Sequence, residues 1–313
     1  MSNLSVLSFS EAVHLFLQEC KLRNLTKTTY AFYKFGLRTL EQFLDETKLD
    51  FANLTPFDLS NRYMKYLLDQ KLAPATIRGR IASCQVFFKF LWQYGYTSTN
   101  LAADLKLIKA TNRAIFTFSE EQVAAILSQP DVNTFTGLRD HTMMLVLLDT
   151  GMRLMELSRM QVPDIDLAVG TIRIPSGKGR KPRIVPIQKK CQYQLNRYLR
   201  ERGELPFDDC WITLNNTPLR YEAIKRLIIL HCKAAHIQGT RGSAHTFRHT
   251  MAKSYLLNGG DAFSLMCILG HTNIEMTQRY VDLFSQDLHN QHQKASPIEA
   301  LLSKHAAESG VEA

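Results

Sequence analysis

The chain has 313 residues, an apolar fraction of 45% and a formal net charge of +9. That length suits two domains of ~100–200 residues each, and the apolar fraction is that of a globular protein with a proper core. The longest apolar run, Met143 to Leu148, falls far short of the ~18–20 residues a membrane span needs, and the N-terminus lacks the marks of a signal peptide, so a cytoplasmic protein without a membrane partner is expected.

The first hundred residues read as an all-helical bundle. Ser8 with Glu11 makes a capping box, and Val13, Phe16, Leu17 and Cys20 then line one face. Tyr30, Tyr33, Leu37, Leu40 and Leu44 keep helical spacing for a second helix. Thr55-Pro56 opens a third, running to about Lys71, and Ala73-Pro74 opens a fourth. On that fourth helix Ile77, Ile81, Cys84, Phe88 and Leu91 form the apolar face. Arg78, Arg80 and Lys89 lie off the stripe, where they could meet a phosphate backbone. Periodicity fades between 101 and 117, which reads as a linker. Ser119 and Gln122 then cap a new helix, a long helix runs from about Leu138 to Asp149, and Gly151 breaks it. The period changes at Thr171–Ile174 and Arg183–Ile187, two predicted strands flanking the turn Ser176–Arg180. Helices resume after the hairpin.

Between Thr171 and Arg202 lie ten basic residues, Arg180, Lys181 and Arg183 among them, against one acid, Glu201. A run this dense favours phosphate contacts over a merely solvated face. The six cysteines are scattered with no CxxC pair and read as small core residues. His231, Cys232 and His236 have no second ligand cluster at zinc spacing, so no metal is expected.

Four separated segments carry chemistry. Arg153 follows the glycine break, with Glu156 three residues on to orient its guanidinium. Lys178 sits between two glycines at the hairpin tip, on a loop without bulky neighbours. His245 and Arg248 are three apart on one helix face. His249 stands four after His245, but no glutamate follows the first histidine as a zinc helix would need. Leu269-Gly270-His271 ends a helix, and Tyr280 lies nine residues beyond His271. Singly, each segment has an ordinary surface or core explanation.

Together, the order Gly-x-Arg-x-x-Glu, hairpin lysine, His-x-x-Arg, Leu-Gly-His and then Tyr resembles the tyrosine recombinase family of phage integrase and Xer type. The resemblance covers nearly the whole chain. It implies a mainly α fold with a small β-hairpin or sheet: a helical core-binding domain over 1–100, a linker over 101–117, and a mixed α/β catalytic domain over 118–285. By position, Arg153, Lys178, His245, Arg248 and His271 match the family's phosphate-activating set, and Tyr280 matches its nucleophile. The implied partner is double-stranded DNA carrying specific recombination sites, bound by a tetramer, with no cofactor. Two arginines suit a phosphodiester because guanidinium stays charged and offers forked donors. Attack by Tyr280 would leave a 3′-phosphotyrosine and expel a 5′-hydroxyl. Lys178 is the expected general acid and His245 the expected base, with His271 donating to a phosphate oxygen.

Related chemistry would serve a type IB topoisomerase-like relaxing enzyme. A catalytically silent DNA-binding protein would not need Tyr280, Arg153, Arg248 and Lys178 together, and a metal-dependent nuclease would need clustered carboxylates. Because the bundle starts at about Ser8, a simple two-domain recombinase is expected rather than one with an arm-binding domain. Residues 286–313 form an acidic tail in which Ser296-Pro297-Ile298-Glu299 predicts a short helix. By the resemblance, such a tail would connect one subunit to the next.

Overall fold

The computed structural model of the chain describes residues 7–108, 115–175 and 182–271, together with Gln278, Tyr280, His292 and Ile298. The expected general acid Lys178, the basic residues Arg180 and Lys181, and the tail helix apart from Ile298 lie outside the described residues. The chain divides into two compact units, Met1–Arg113 and Ala114–Ala313.

The first unit is built from α1 (Phe9–Leu22), α2 (Lys27–Thr47), α3 (Met64–Asp69) and α4 (Pro74–Gln93). The Ser8–Glu11 box closes in both directions, and the Thr26 side chain accepts the N–H of Thr29 to start α2. Ahead of α3, Thr55 Oγ1 donates to the Asp58 carboxylate at 2.6 Å, and a π-helical turn over Asp58–Tyr63 leads in. The helices bury Phe16, Leu37, Leu40, Phe43, Leu59, Tyr63, Leu67, Ile81, Phe87, Phe88 and Leu91 in one core. Each large apolar side chain so buried contributes about 1.5–3 kcal/mol.

The segment after α4 is not a free linker from its first residue. Ala102 and Leu105 are buried in the same core, and Gln85 Nε2 donates to the Leu105 carbonyl at 2.6 Å. Two of the three arginines and lysines expected on DNA from α4 are occupied within the unit. Arg78 donates to the Ile108 carbonyl. Arg80 donates to the Phe35 carbonyl at 2.7 Å, with its guanidinium 4.3 Å from the centroid of the Phe35 ring. Lys89 is exposed.

The second unit places α6 (Phe135–Thr150) at its centre, after α5 (Glu120–Leu127). Leu138, Met143, Met144, Val146 and Leu147 of α6 are all buried, so this helix is covered on most of its surface. Its buried pair Arg139–Asp140, at 2.7 Å, is satisfied further by the Ile212 carbonyl and by His231. Then come α7 (Leu154–Ser158), β1 (Ile165–Asp166), β2 (Thr171–Ile174) and β3 (Arg183–Pro186). The strands form an antiparallel sheet in the order β1-β2-β3, with Ile172 opposite Val185 and Ile174 opposite Arg183. Ile172, Ile174 and Val185 are buried in the core, while Arg173 and Ile184 point outward. The helices α8 (Lys189–Arg202), α9 (Tyr221–Ala234), α10 (Ala244–Leu257) and α11 (Ala262–Leu269) complete the unit.

Gly151 ends α6 in the left-handed region, at φ 58°, with its N–H bonded to the Leu147 carbonyl. A Cβ there would lie 2.7 Å from Leu269 Cδ2 and 3.0 Å from Met251 Sδ. Backbone strain and the clash act together, so Gly151→Ala should lower unfolding stability by about 1–3 kcal/mol. Equilibrium denaturation of the two proteins reads this directly, and equal midpoints and slopes would show that α10 and α11 can give way.

Candidate active site

The breaks at the ends of helices α6 and α11 set the site. Once Gly151 has stopped α6, Arg153 sits at the N-cap of α7 in an extended conformation, φ −75° and ψ 150°. Glu156, one turn into α7, accepts the Arg153 backbone N–H at 2.8 Å and lies 3.2 Å from its Nη1. The i,i+3 pairing expected from the sequence is therefore present, and the same carboxylate also caps the helix.

Arg248 enters from α10 and is buried, 3% exposed. Its Nη1 donates to the Gly151 carbonyl at 2.6 Å, and its Nη2 to the Leu269 carbonyl at 2.8 Å. Arg153 Nη1 donates to that same Leu269 oxygen at 3.3 Å. Two guanidinium groups from distant segments thus converge on the C-terminal ends of α6 and α11, where helical carbonyls lack intrahelical partners and carry partial negative charge. Burial, and next the Arg153 charge, bring the Arg248 pKa down to about 10. It remains charged at neutral pH.

The histidines and the tyrosine lie close to Arg248. Its Nη2 lies 2.9 Å from His271 Nε2. A guanidinium can only donate, so His271 accepts there and is a neutral imidazole with its proton on Nδ1. The His271 ring lies parallel to Tyr280, 4° between planes and 6.4 Å between centroids. Tyr280 is 4% exposed, and its hydroxyl is 2.7 Å from Nδ1 of His249. His245 packs edge-on against His249, centroids 4.4 Å apart. Its pKa is lowered by burial and then by the Arg248 and Arg153 charges, which favours neutral imidazole.

The residue in contact with the tyrosine hydroxyl is therefore His249, which the sequence reading weighed only as a zinc ligand. His245, the expected base, touches His249. The i,i+4 spacing of the two histidines on one helix face was the signal that could have found this pair. Among the described residues no cluster of three or more metal-binding side chains is present.

Arg183, expected on DNA, turns inward. Its Nη1 and Nη2 make a bidentate pair with Glu156 at 3.1 and 2.7 Å, and its Nε donates to the Ile268 carbonyl at 2.9 Å. Gly270, at φ 64°, lets the chain pass over it: a Cβ there would lie 3.0 Å from Arg183 Nη1. Burial alone would raise the Glu156 pKa, but the Arg183 hydrogen bonds, the Arg153 N–H and both positive charges outweigh it and hold the pKa near 2. Glu156 is thus a carboxylate throughout the physiological range.

Arg153, Arg248, His245, His271 and Tyr280 are brought to one place; Arg78, Arg80 and Lys89 belong to the other unit. Paired guanidiniums beside a tyrosine hydroxyl and neutral imidazoles can hold a phosphodiester, neutralise its oxygens and move the phenolic proton.

Known proteins resemble this chain over most of its length. The model of the phage integrase family matches residues 117–287, and that of the phage integrase N-terminal SAM-like domain matches residues 13–95. The chain is 28% identical over 279 residues to the tyrosine recombinase XerC of Staphylococcus haemolyticus, covering 88% of this chain and 93% of that one. It is 26% identical over 280 residues to the tyrosine recombinase XerD of Staphylococcus aureus, covering 88% and 94%. Among solved structures, a XerH site-specific recombinase bound to its difH substrate superposes with a TM-score of 0.71 at 19% identity, covering 93% of this chain and 85% of that one. A lambda integrase dimer on a core site gives 0.71 at 16% identity, covering 86% and 97%. Since the phage integrase family model matches more than half of the chain, the chain belongs to the phage integrase family, the tyrosine recombinases.

Proposed function

We propose that this protein is a site-specific DNA recombinase that cuts and rejoins strands through a 3′-phosphotyrosyl intermediate, without metal or nucleotide. The observation that carries the reading is the shared Leu269 carbonyl, which brings Arg153 and Arg248 together, with His271, in contact with Arg248, stacked parallel to Tyr280. A phosphodiester repels nucleophiles, and two fixed guanidiniums on its nonbridging oxygens stabilise the charge that develops during attack. Tyr280 Oη bonds to phosphorus, the bond to the 5′-oxygen breaks, and the phenolic proton passes to His249 Nδ1. Lys178 supplies the proton that the departing 5′-oxygen needs. His271, with Nδ1–H as its donor, is positioned to serve a phosphate oxygen. A 5′-hydroxyl of a second strand then reverses these steps and releases Tyr280, so no energy source is consumed.

The working assembly in this reading is a tetramer on two recombination sites in the cytoplasm, with residues 286–313 connecting neighbouring subunits.

A nicked duplex with a randomised core traps the covalent adduct, because the short 5′ fragment diffuses away before rejoining. Wild-type protein should yield adducts from a subset of sequences. Tyr280→Phe should bind the selected duplex within a few-fold of wild type and form none; an adduct in that variant would remove Tyr280 as the nucleophile. Supercoil relaxation without recombinant product would turn the reading toward a topoisomerase-like enzyme.

Loss of His249 leaves the phenol to ionise unaided. His249→Ala should cleave about 10²-fold more slowly at pH 7, the lower end of what acid–base catalysis contributes, and should regain rate as pH climbs toward the ordinary tyrosine pKa of ~10. A flat profile parallel to wild type would assign the proton to another group. Lys178→Ala should be slower by about 10²–10⁴, and a substrate with sulfur at the 5′-bridging position should restore it, since a thiolate leaves without a proton. No restoration would mean that Lys178 positions DNA.

A further inference from the structure

One carboxylate, Glu156, stands among three guanidiniums, those of Arg153, Arg183 and Arg248. We propose that Arg183 is a positioning residue for strand cleavage: by engaging both oxygens of Glu156 it limits how far that carboxylate, which also pairs with Arg153, neutralises Arg153, and so preserves Arg153 charge for the scissile phosphate. This rests on the functional reading given above.

The distances favour Arg183 as the carboxylate's main partner. It meets Glu156 in the forked geometry that is strongest for such pairs, at 2.7 and 3.1 Å, whereas Arg153 Nη1 stands 3.2 Å from Oε1. The Arg183 and Glu156 side chains are 11% and 13% exposed, and Arg153 is more open at 22%. Arg183 is further fixed by the Ile268 carbonyl one residue before the shared acceptor Leu269, and by the close passage of Gly270. Glu156 cannot escape by protonation, because its pKa is held near 2.

Glu156 has a separate task that keeps it in place. Its carboxylate accepts the Arg153 backbone N–H at 2.8 Å and so starts α7. A neutral amide oxygen can also accept this N–H, whereas a carboxylate without Arg183 would pair more fully with the Arg153 guanidinium three residues away. Arg183 lies on β3, five residues after Lys178. The strand that leads from the hairpin lysine therefore also governs the charge available on Arg153.

A purely structural role and this one differ in what a second substitution does. With the duplex selected by wild-type protein, Arg183→Met should slow adduct formation by about 10²-fold, the usual loss on removing one charge-stabilising donor. DNA affinity should stay within about threefold, because many other phosphate contacts hold the duplex. Adding Glu156→Gln to Arg183→Met removes the carboxylate charge that would quench Arg153, and should restore at least tenfold of the rate. A double variant as slow as Arg183→Met, or slower, would overturn the proposal and leave Arg183 as a fold-holding residue. If Arg183→Met fails to fold by circular dichroism, Arg183→Lys serves, since it keeps charge but loses the fork, and the same rescue by Glu156→Gln decides. Wild type and Tyr280→Phe run beside these variants. If wild type forms no adduct, or Tyr280→Phe forms one, the functional reading itself falls; normal behaviour of both with no rescue rejects only the role of Arg183.

Discussion

The catalytic unit is organised around a carbonyl oxygen. Leu269, in the last turn of α11, accepts from Arg248 at 2.8 Å and from Arg153 at 3.3 Å. Two like charges held that close repel by about 3 kcal/mol at an effective dielectric of 20. Without a compensating acceptor the arginines would swing apart into solvent. The ends of α6 and α11 supply that acceptor, since the carbonyls of Gly151 and Leu269 have no partner within their helices and lie at the negative ends of the helix dipoles. Both helix ends are made by glycines in left-handed conformation, Gly151 and Gly270. The glycines therefore act on the chemistry through the carbonyls they expose.

A second layer follows from the first. Glu156 is the carboxylate among the three guanidiniums, and its burial would disfavour ionisation were Arg183 not bonded to both of its oxygens. The cluster keeps a positive excess, which a phosphate-binding site requires, while Glu156 has fixed partners for its lone pairs. The burial of Arg248 at 3% exposure is tolerable for the same reason, because two carbonyls and an imidazole satisfy its guanidinium. The same Nη2 that donates to Leu269 also fixes the tautomer of His271 by donating to it.

Much of this was legible in the sequence, and for identifiable reasons. The capping boxes at Ser8–Glu11 and Ser119–Gln122 close as the residue types require, because an N-cap depends on neighbours within one turn. The β2–β3 pair was visible as a change of period. The order of the candidate residues Arg153, His245, Arg248, His271 and Tyr280 was visible because their types and spacing are read directly from the chain. What stayed hidden depends on long-range placement. That His249 rather than His245 meets Tyr280 is decided by where Tyr280 lies against α10, and local spacing carries no information on that. Arg183 reads as one more base in a basic run until β3 is seen to lie against the end of α11. Ala102 and Leu105 sit in a stretch without periodicity, and only the core they fill marks them as part of the bundle.

The basic composition itself has to be read differently once these contacts are known. Arg78, Arg80, Arg183, Arg197 and Arg202 each donate to backbone carbonyls, and Arg173 pairs with Asp164 at 2.8 Å. Arg202 alone reaches the carbonyls of Gly203, Phe207 and Asp209. Lys89, Lys189 and Lys190, by contrast, are exposed. The division follows from the groups: guanidinium is planar, weakly hydrated and able to serve several acceptors at once, whereas an ammonium is a strongly hydrated point charge. In this chain many arginines hold loops and helix ends together through backbone carbonyls, which restricts where their charge can point. The net charge of +9 therefore overstates what faces a polyanion. In the proposed function a phosphate backbone would be met by the exposed lysines, and the buried arginines at the helix ends would act on the one phosphate that reacts.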